Sequence, residues 1–238
     1  MSEIVEESGT NPGTAEAREK IGSLYAAMME EVIVRLDAAL DSLTEAKANS
    51  GHLDNWKNAE FCYLQIRKTC EYVALALLVA HELYQDTSTA SLTKKWHAGE
   101  IFAKLIELNN YAFPHPITVH IDHDGPGQHH VEPNDLILAA DELQAIYGRC
   151  GDRLHVGSLK RILDGRLAAF DFDEITQWRN QLVGTLNNHM VRLPHIGSVL
   201  LVVLKESIDG RVHCAWGRAE GPFVIGEDPT IFDVSRIL

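Results

Sequence analysis

A mainly α fold is predicted: a helical bundle with one inserted β-hairpin, closing on a C-terminal antiparallel β-hairpin. Three observations predict it. Phe61 to His81 reads as one long helix whose second half, Tyr72–Ala80, is apolar on every face, so it belongs inside a bundle. Ile117–Ile121 alternates like a strand and runs into the turn Asp124-Gly125-Pro126-Gly127. Ser198–Glu206 and Arg211–Arg218 are β-rich and joined through Asp209-Gly210, which favours a tight hairpin.

Taken in order, residues 1–15 read as a disordered acidic tail, polar and without periodicity. The first helix shows Ile21, Leu24, Met28, Val32, Leu36, Leu40 and Leu43 at three- and four-residue steps, and Ser50-Gly51 ends it. Asp54 is placed as the N-cap of the central helix. A third helix follows Ser91, with Trp96, Ile101, Phe102, Leu105 and Leu108 as its stripe. The hairpin at about 117–131 reads as small and exposed, inserted between helices.

The next helix is expected from Asn134 or Asp135 to about Arg149, burying Leu138, Leu143 and Ile146. An irregular stretch, Cys150–Gly157, and a short helix over Leu159–Leu163 come after it. Asp171 caps the last helix, with Ile175, Trp178, Leu182, Leu186 and Met190 inward. Its Arg179, Asn180, Asn187, Asn188 and His189 read as an exposed polar face. The chain thus divides into a tail (1–15), a helical bundle (16–192) and a C-terminal β element (193–238) packed on the bundle.

Composition narrows the function classes. With 45% hydrophobic residues the chain can bury a sizeable core, and a formal charge of −13 argues against a surface built broadly for phosphate backbones. The acidic start has no apolar run and is no secretory signal. Tyr72–Ala80 and Val199–Leu204 are too short to cross a membrane, so no membrane partner is expected. Cys62, Cys70, Cys150 and Cys214 form no Cys-x-x-Cys pair and read as reduced thiols of a cytoplasmic protein.

His120, His123, His129 and His130, with Asp122 and Asp124, raise a metal hypothesis, since imidazole and carboxylate suit zinc or manganese. Alternation puts His120 and Asp122 on one side of the strand, and the adjacent His129 and His130 on opposite faces. That arrangement delivers two ligands where a tetrahedral site needs three or four, so no preformed metal site is predicted. No nucleophile elbow and no phosphate loop is present, and no cofactor is implied.

Two polar constellations remain. Arg67 and Glu71 lie one helical turn apart beside the buried run, and read as a structural ion pair that is largely buried. Arg149, Arg153 and His155 join two cations to an imidazole, which can hold a phosphodiester and move its proton without a metal. A helical bundle with an arginine, a four- to six-residue gap and a histidine resembles the HEPN superfamily; Arg149 and His155 carry that match. The resemblance implies a small helical domain, often a dimeric ribonuclease of toxin or phage-defence systems. Two functions are therefore expected to compete. One is a non-catalytic or regulatory protein acting through a protein partner or as a homodimer. The other is a metal-independent endoribonuclease acting on RNA.

Overall fold

The computed structural model describes residues 14–49, 55–81, 98–108, 113–121, 129–155, 163, 170–193, 197–204 and 210–218. Its described part is mainly α, with one antiparallel sheet. Helix α1 (Ala15–Ala48) starts where the Thr14 hydroxyl accepts the Ala17 N–H at 3.2 Å. Its core face is Tyr25, Met29, Val32, Leu36, Ala39 and Leu43. The expected stripe is only half right, because Leu24 and Leu40 are exposed. Each four-residue step overshoots a full turn by about 40°, so Leu24 and Leu40 end up about 160° apart on the helix.

Helix α2 (Asn55–His81) runs antiparallel to α1. Asn55 Nδ2 donates to the Ala46 carbonyl, Ser42 Oγ to that of Asn58 and Cys62 Sγ to that of Ala39, so numbers rise on one helix as they fall on the other. Around α2 pack α1, α3 (Ala98–Leu108), α4 (Ala140–Leu154) and α5 (Phe172–Leu186). Val73, Ala74, Ala76, Leu77, Leu78 and Ala80 are buried, as a run apolar all round requires; Leu75 faces outward, and Tyr72 and Val79 are half-buried. Asp54 and the whole segment from Ser91 to Trp96 lie outside the described residues, as does nearly all of 156–169.

Helix α4 corrects the expected boundaries at both ends. It begins after Ala139, whose N–H is accepted by the Glu142 carboxylate at 2.7 Å, and it continues through Leu154. Gly148 and Gly151 do not break it, because a helical glycine costs only about 1 kcal/mol relative to alanine and packing against α2 outweighs that. Cys150 and Arg153 are therefore helical residues like Arg149, not parts of an irregular loop. Asp171 caps α5 as expected: its Oδ1 accepts the N–H groups of Asp173 and Glu174, each at 3.0 Å.

The sheet holds β1 (His115–Ile121), β2 (His129–Pro133), β3 (Asn188–Leu193), β4 (Ser198–Val203) and β5 (His213–Arg218) in the order β2-β1-β3-β4-β5, antiparallel throughout. Both expected hairpins are present, yet they are not separate. Strand β3 joins them, pairing His115 with Met190 on one edge and Met190 with Leu201 on the other. Met190 is thus a strand residue, and the last helix stops at Leu186.

Alternation splits the sheet's apolar residues between two faces. Val191, Leu193, Leu200 and Val202 join the helical core. Ile117, Val131, Met190, Val199 and Leu201 form a second buried cluster on the opposite face. Trp216 of β5 ties the sheet to α1: its Nε1 donates to the Arg18 carbonyl at 3.0 Å while the Arg18 guanidinium lies over its ring. Among the described residues no helix is long and apolar enough to cross a membrane.

Candidate functional site

Arg149 and Arg153 stand one turn apart on α4, so they share a face. Both reach the same acceptor, the carboxylate of Glu174 at the third position of α5. Arg153 Nη2 lies 3.3 Å from Glu174 Oε2, and Arg149 Nη2 bonds Oε1. The Arg149 guanidinium also lies over the Trp178 ring, 4.8 Å from its centroid. Trp178 in turn meets the edge of Tyr63, whose hydroxyl accepts the Asp171 N–H at 3.4 Å. Glu174 is mostly covered, whereas Arg149 keeps 56% of its side-chain surface open. His155 has left the helix: it is the exposed C-cap of α4, its backbone extended and its N–H bonded to the Gly151 carbonyl.

The three residues expected to handle a phosphodiester therefore lie at one end of α4, with both cations paired to the single carboxylate of Glu174. Glu174 and Trp178 complete this cluster, and the sequence reading assigned them no part in it. Their signal was present: Glu174 stands three residues after the Asp171 cap, where a carboxylate is pinned near the helix N-terminus.

Arg67 and Glu71 do pair, at 3.5 Å, but each keeps about a quarter of its side-chain surface. The pair is thus covered over about three-quarters of its side-chain surface without being fully buried, and Glu71 also takes the outward-pointing Lys68 at 2.7 Å. Arg67 is anchored on α4 instead. Its Nη2 donates to the Tyr147 hydroxyl at 2.8 Å, and its guanidinium sits 4.2 Å from the Tyr147 ring centroid. Gly151 faces the same guanidinium so closely that a β-carbon there would collide with it.

His189 is another correction. It is not on an exposed helix face but fully buried in β3, with its two nitrogens bonded to Tyr25 and to the Leu186 carbonyl. Burial pushes its pKa down to about 4. The cysteines are free, and burial pushes Cys150 and Cys214 up to about 12 and raises Cys62 and Cys70. Burial thus favours the neutral thiol over the thiolate at all four sulfurs. In the His-rich hairpin, His120 pairs across the strands with His130 and Ile121 with His129. Their side chains, and His123 with Asp122 and Asp124, lie outside the described residues.

A different surface stands out on α2. Lys57, Phe61, Leu64, Lys68 and Leu75 fall within an arc of about 60° on the helix, at about 100° per residue. Phe61, Leu64 and Leu75 are 43%, 41% and 37% exposed. On one flank Arg67 reaches α4; on the other Arg35 of α1 lies over Tyr72 and donates to Gln65. Leu24 and Met28 share the Arg35 side of α1, and Leu24 is exposed as well. The chain matches no family model, no curated protein and no solved structure.

Proposed function

We propose that this chain is a non-catalytic, regulatory helical protein that acts in the cytoplasm through protein contacts. The observation that carries the reading is the apolar stripe of α2, Phe61, Leu64 and Leu75, open to solvent on a helix otherwise packed into the core. Exposed apolar residues in one band are a common mark of a protein-binding surface. Two further facts support it. The cations suited to a phosphate are held by Glu174, and the formal charge of −13 disfavours polyanions. The HEPN-like resemblance suggests a bacterial stress or defence setting.

The second reading is a metal-independent endoribonuclease. Arg149 and Arg153 would hold the phosphate and His155 would move the proton, with Glu174 giving way to the substrate. The openness of Arg149 on the Trp178 ring favours it. Purified protein, labelled RNA and EDTA separate the two. No cleavage is the expected result, both for the parent and for Glu174→Gln, in which the arginines lose their carboxylate. EDTA-resistant cleavage that disappears in His155→Ala would overturn the favoured reading.

A further inference from the structure

We infer that the partner covering the α2 stripe is a second copy of this chain, packed antiparallel on α2 across a two-fold axis near residues 69 and 70. The inference rests on the protein-contact reading and names its partner. Along the stripe the order is apolar, positive, negative, apolar: Leu64, Lys68, Glu71, Leu75. Reversed, that order is its own complement. With the axis between Lys68 and Glu71, Leu64 of one copy meets Leu75 of the other, and Lys68 meets Glu71 of the other, each contact occurring twice. This is the isologous pattern of a two-fold interface, in which one patch serves both sides.

The monomer's geometry fits the arrangement. Lys68 and Glu71 already touch at 2.7 Å; Lys68 keeps 45% of its side-chain surface and Glu71 23%, so Lys68 is open to a facing carboxylate and Glu71 meets a facing lysine at its uncovered edge. A parallel arrangement would instead set Lys68 against Lys68 and Glu71 against Glu71, a like-charge clash. Phe61 reaches toward the Leu75 end of the second copy, where Leu24 and Met28 of α1 widen the apolar floor. A two-helix face about 40 Å long and about 20 Å wide offers on the order of 800 Å² per copy, what a standard stable interface needs.

Sedimentation or light scattering of the full chain at about 50 μM, where a micromolar dimer is populated, reads the mass directly. The expected mass is twice 26.5 kDa. Leu64→Asp should fall to 26.5 kDa with its helical circular dichroism unchanged, since Leu64 is exposed. Lys68→Glu and Glu71→Lys should each be monomeric alone and form a dimer when mixed, because only the mixture restores opposite charges across the axis. Rescue by mixing cannot come from a role within one chain. A parent of 26.5 kDa, a dimeric Leu64→Asp, or folded charge variants that stay monomeric when mixed would each overturn the inference. None of these touches the protein-contact reading, which falls instead on RNA cleavage lost in His155→Ala.

Discussion

The Tyr25 hydroxyl lies 2.8 Å from Nε2 of His189, and the same ring's Nδ1 lies 2.8 Å from the Leu186 carbonyl. A carbonyl only accepts, so Nδ1 carries the proton and Nε2 accepts from Tyr25. That hydrogen-bond set belongs to neutral imidazole, and it ties α1, the end of α5 and β3 together at one buried point.

Stability should therefore fall on acidification. In the folded chain burial holds His189 near pKa 4, whereas an unfolded histidine titrates near 6.5. The unfolded state binds the proton first, so the contribution is intact above about pH 6.5 and is lost progressively down to about pH 4, on the order of 3 kcal/mol in all. Half-buried His115, also shifted down by burial, acts in the same direction. Melting temperatures from pH 7.5 to 4.5 should decline steadily, and His189→Gln should start lower and decline less. Parallel pH profiles for the two proteins would refute this account.

Two glycines of α4 should respond with opposite signs. A β-carbon at Gly148 meets nothing within 4 Å, so Gly148→Ala should stabilise by about 0.5–1 kcal/mol through helix propensity. At Gly151 the same methyl meets the anchored Arg67 guanidinium, and Gly151→Ala should cost about 1–3 kcal/mol. Urea midpoints of the two variants measure both. Equal shifts would mean Arg67 moves aside freely.

The helices were legible because burial imposes a period. Val32, Leu36 and Leu43 are buried where the pattern puts them, and the apolar run of α2 is the core. Tyr25 and Met29, the largest buried side chains of α1, escaped because the chosen stripe followed four-residue steps and drifted off the true face. Strand β3 escaped for a different reason: Asn188–Leu193 follows the helix after one residue, and Met190 falls at a helical interval from Leu186. A hint lay in β4, whose run Val199–Val203 does not alternate. Such a strand is buried on both faces and so sits inside a sheet with neighbours on each edge.

The site was legible in its residues more than in its pairings. Arg149, Arg153 and His155 do gather at one end of α4, but Glu174, the acceptor for both arginines, lies more than twenty residues further along the chain. No local spacing rule links such positions; only the packing of α5 on the bundle does.

That long-range contact should be worth a modest amount. Glu174 is well covered but both arginines are partly exposed, which screens the pairing. Glu174→Gln is expected to cost about 1 kcal/mol. Asp171→Ala, which strips the two cap bonds from the start of α5, should cost a similar amount, about 1 kcal/mol. The positions are close enough to couple, so the double variant tests the link. A strictly additive double variant would show that the cap does not position Glu174.

The two partners of the Arg67–Glu71 ion pair are unequal. Glu71 keeps about a quarter of its surface and its charge is shared with Lys68, so Glu71→Gln should cost under about 1 kcal/mol. Arg67 does more: it bonds the Tyr147 hydroxyl, stacks on that ring and fills the space opposite Gly151. Arg67→Ala removes all three and should cost on the order of 2–3 kcal/mol. Arg67→Lys should recover little of it, because a point ammonium matches neither the ring face nor the fork of acceptors. Denaturant midpoints for the three variants decide the matter. If Glu71→Gln proved as damaging as Arg67→Ala, the pair would be the unit that matters, and the α2–α4 anchor through Tyr147 would not.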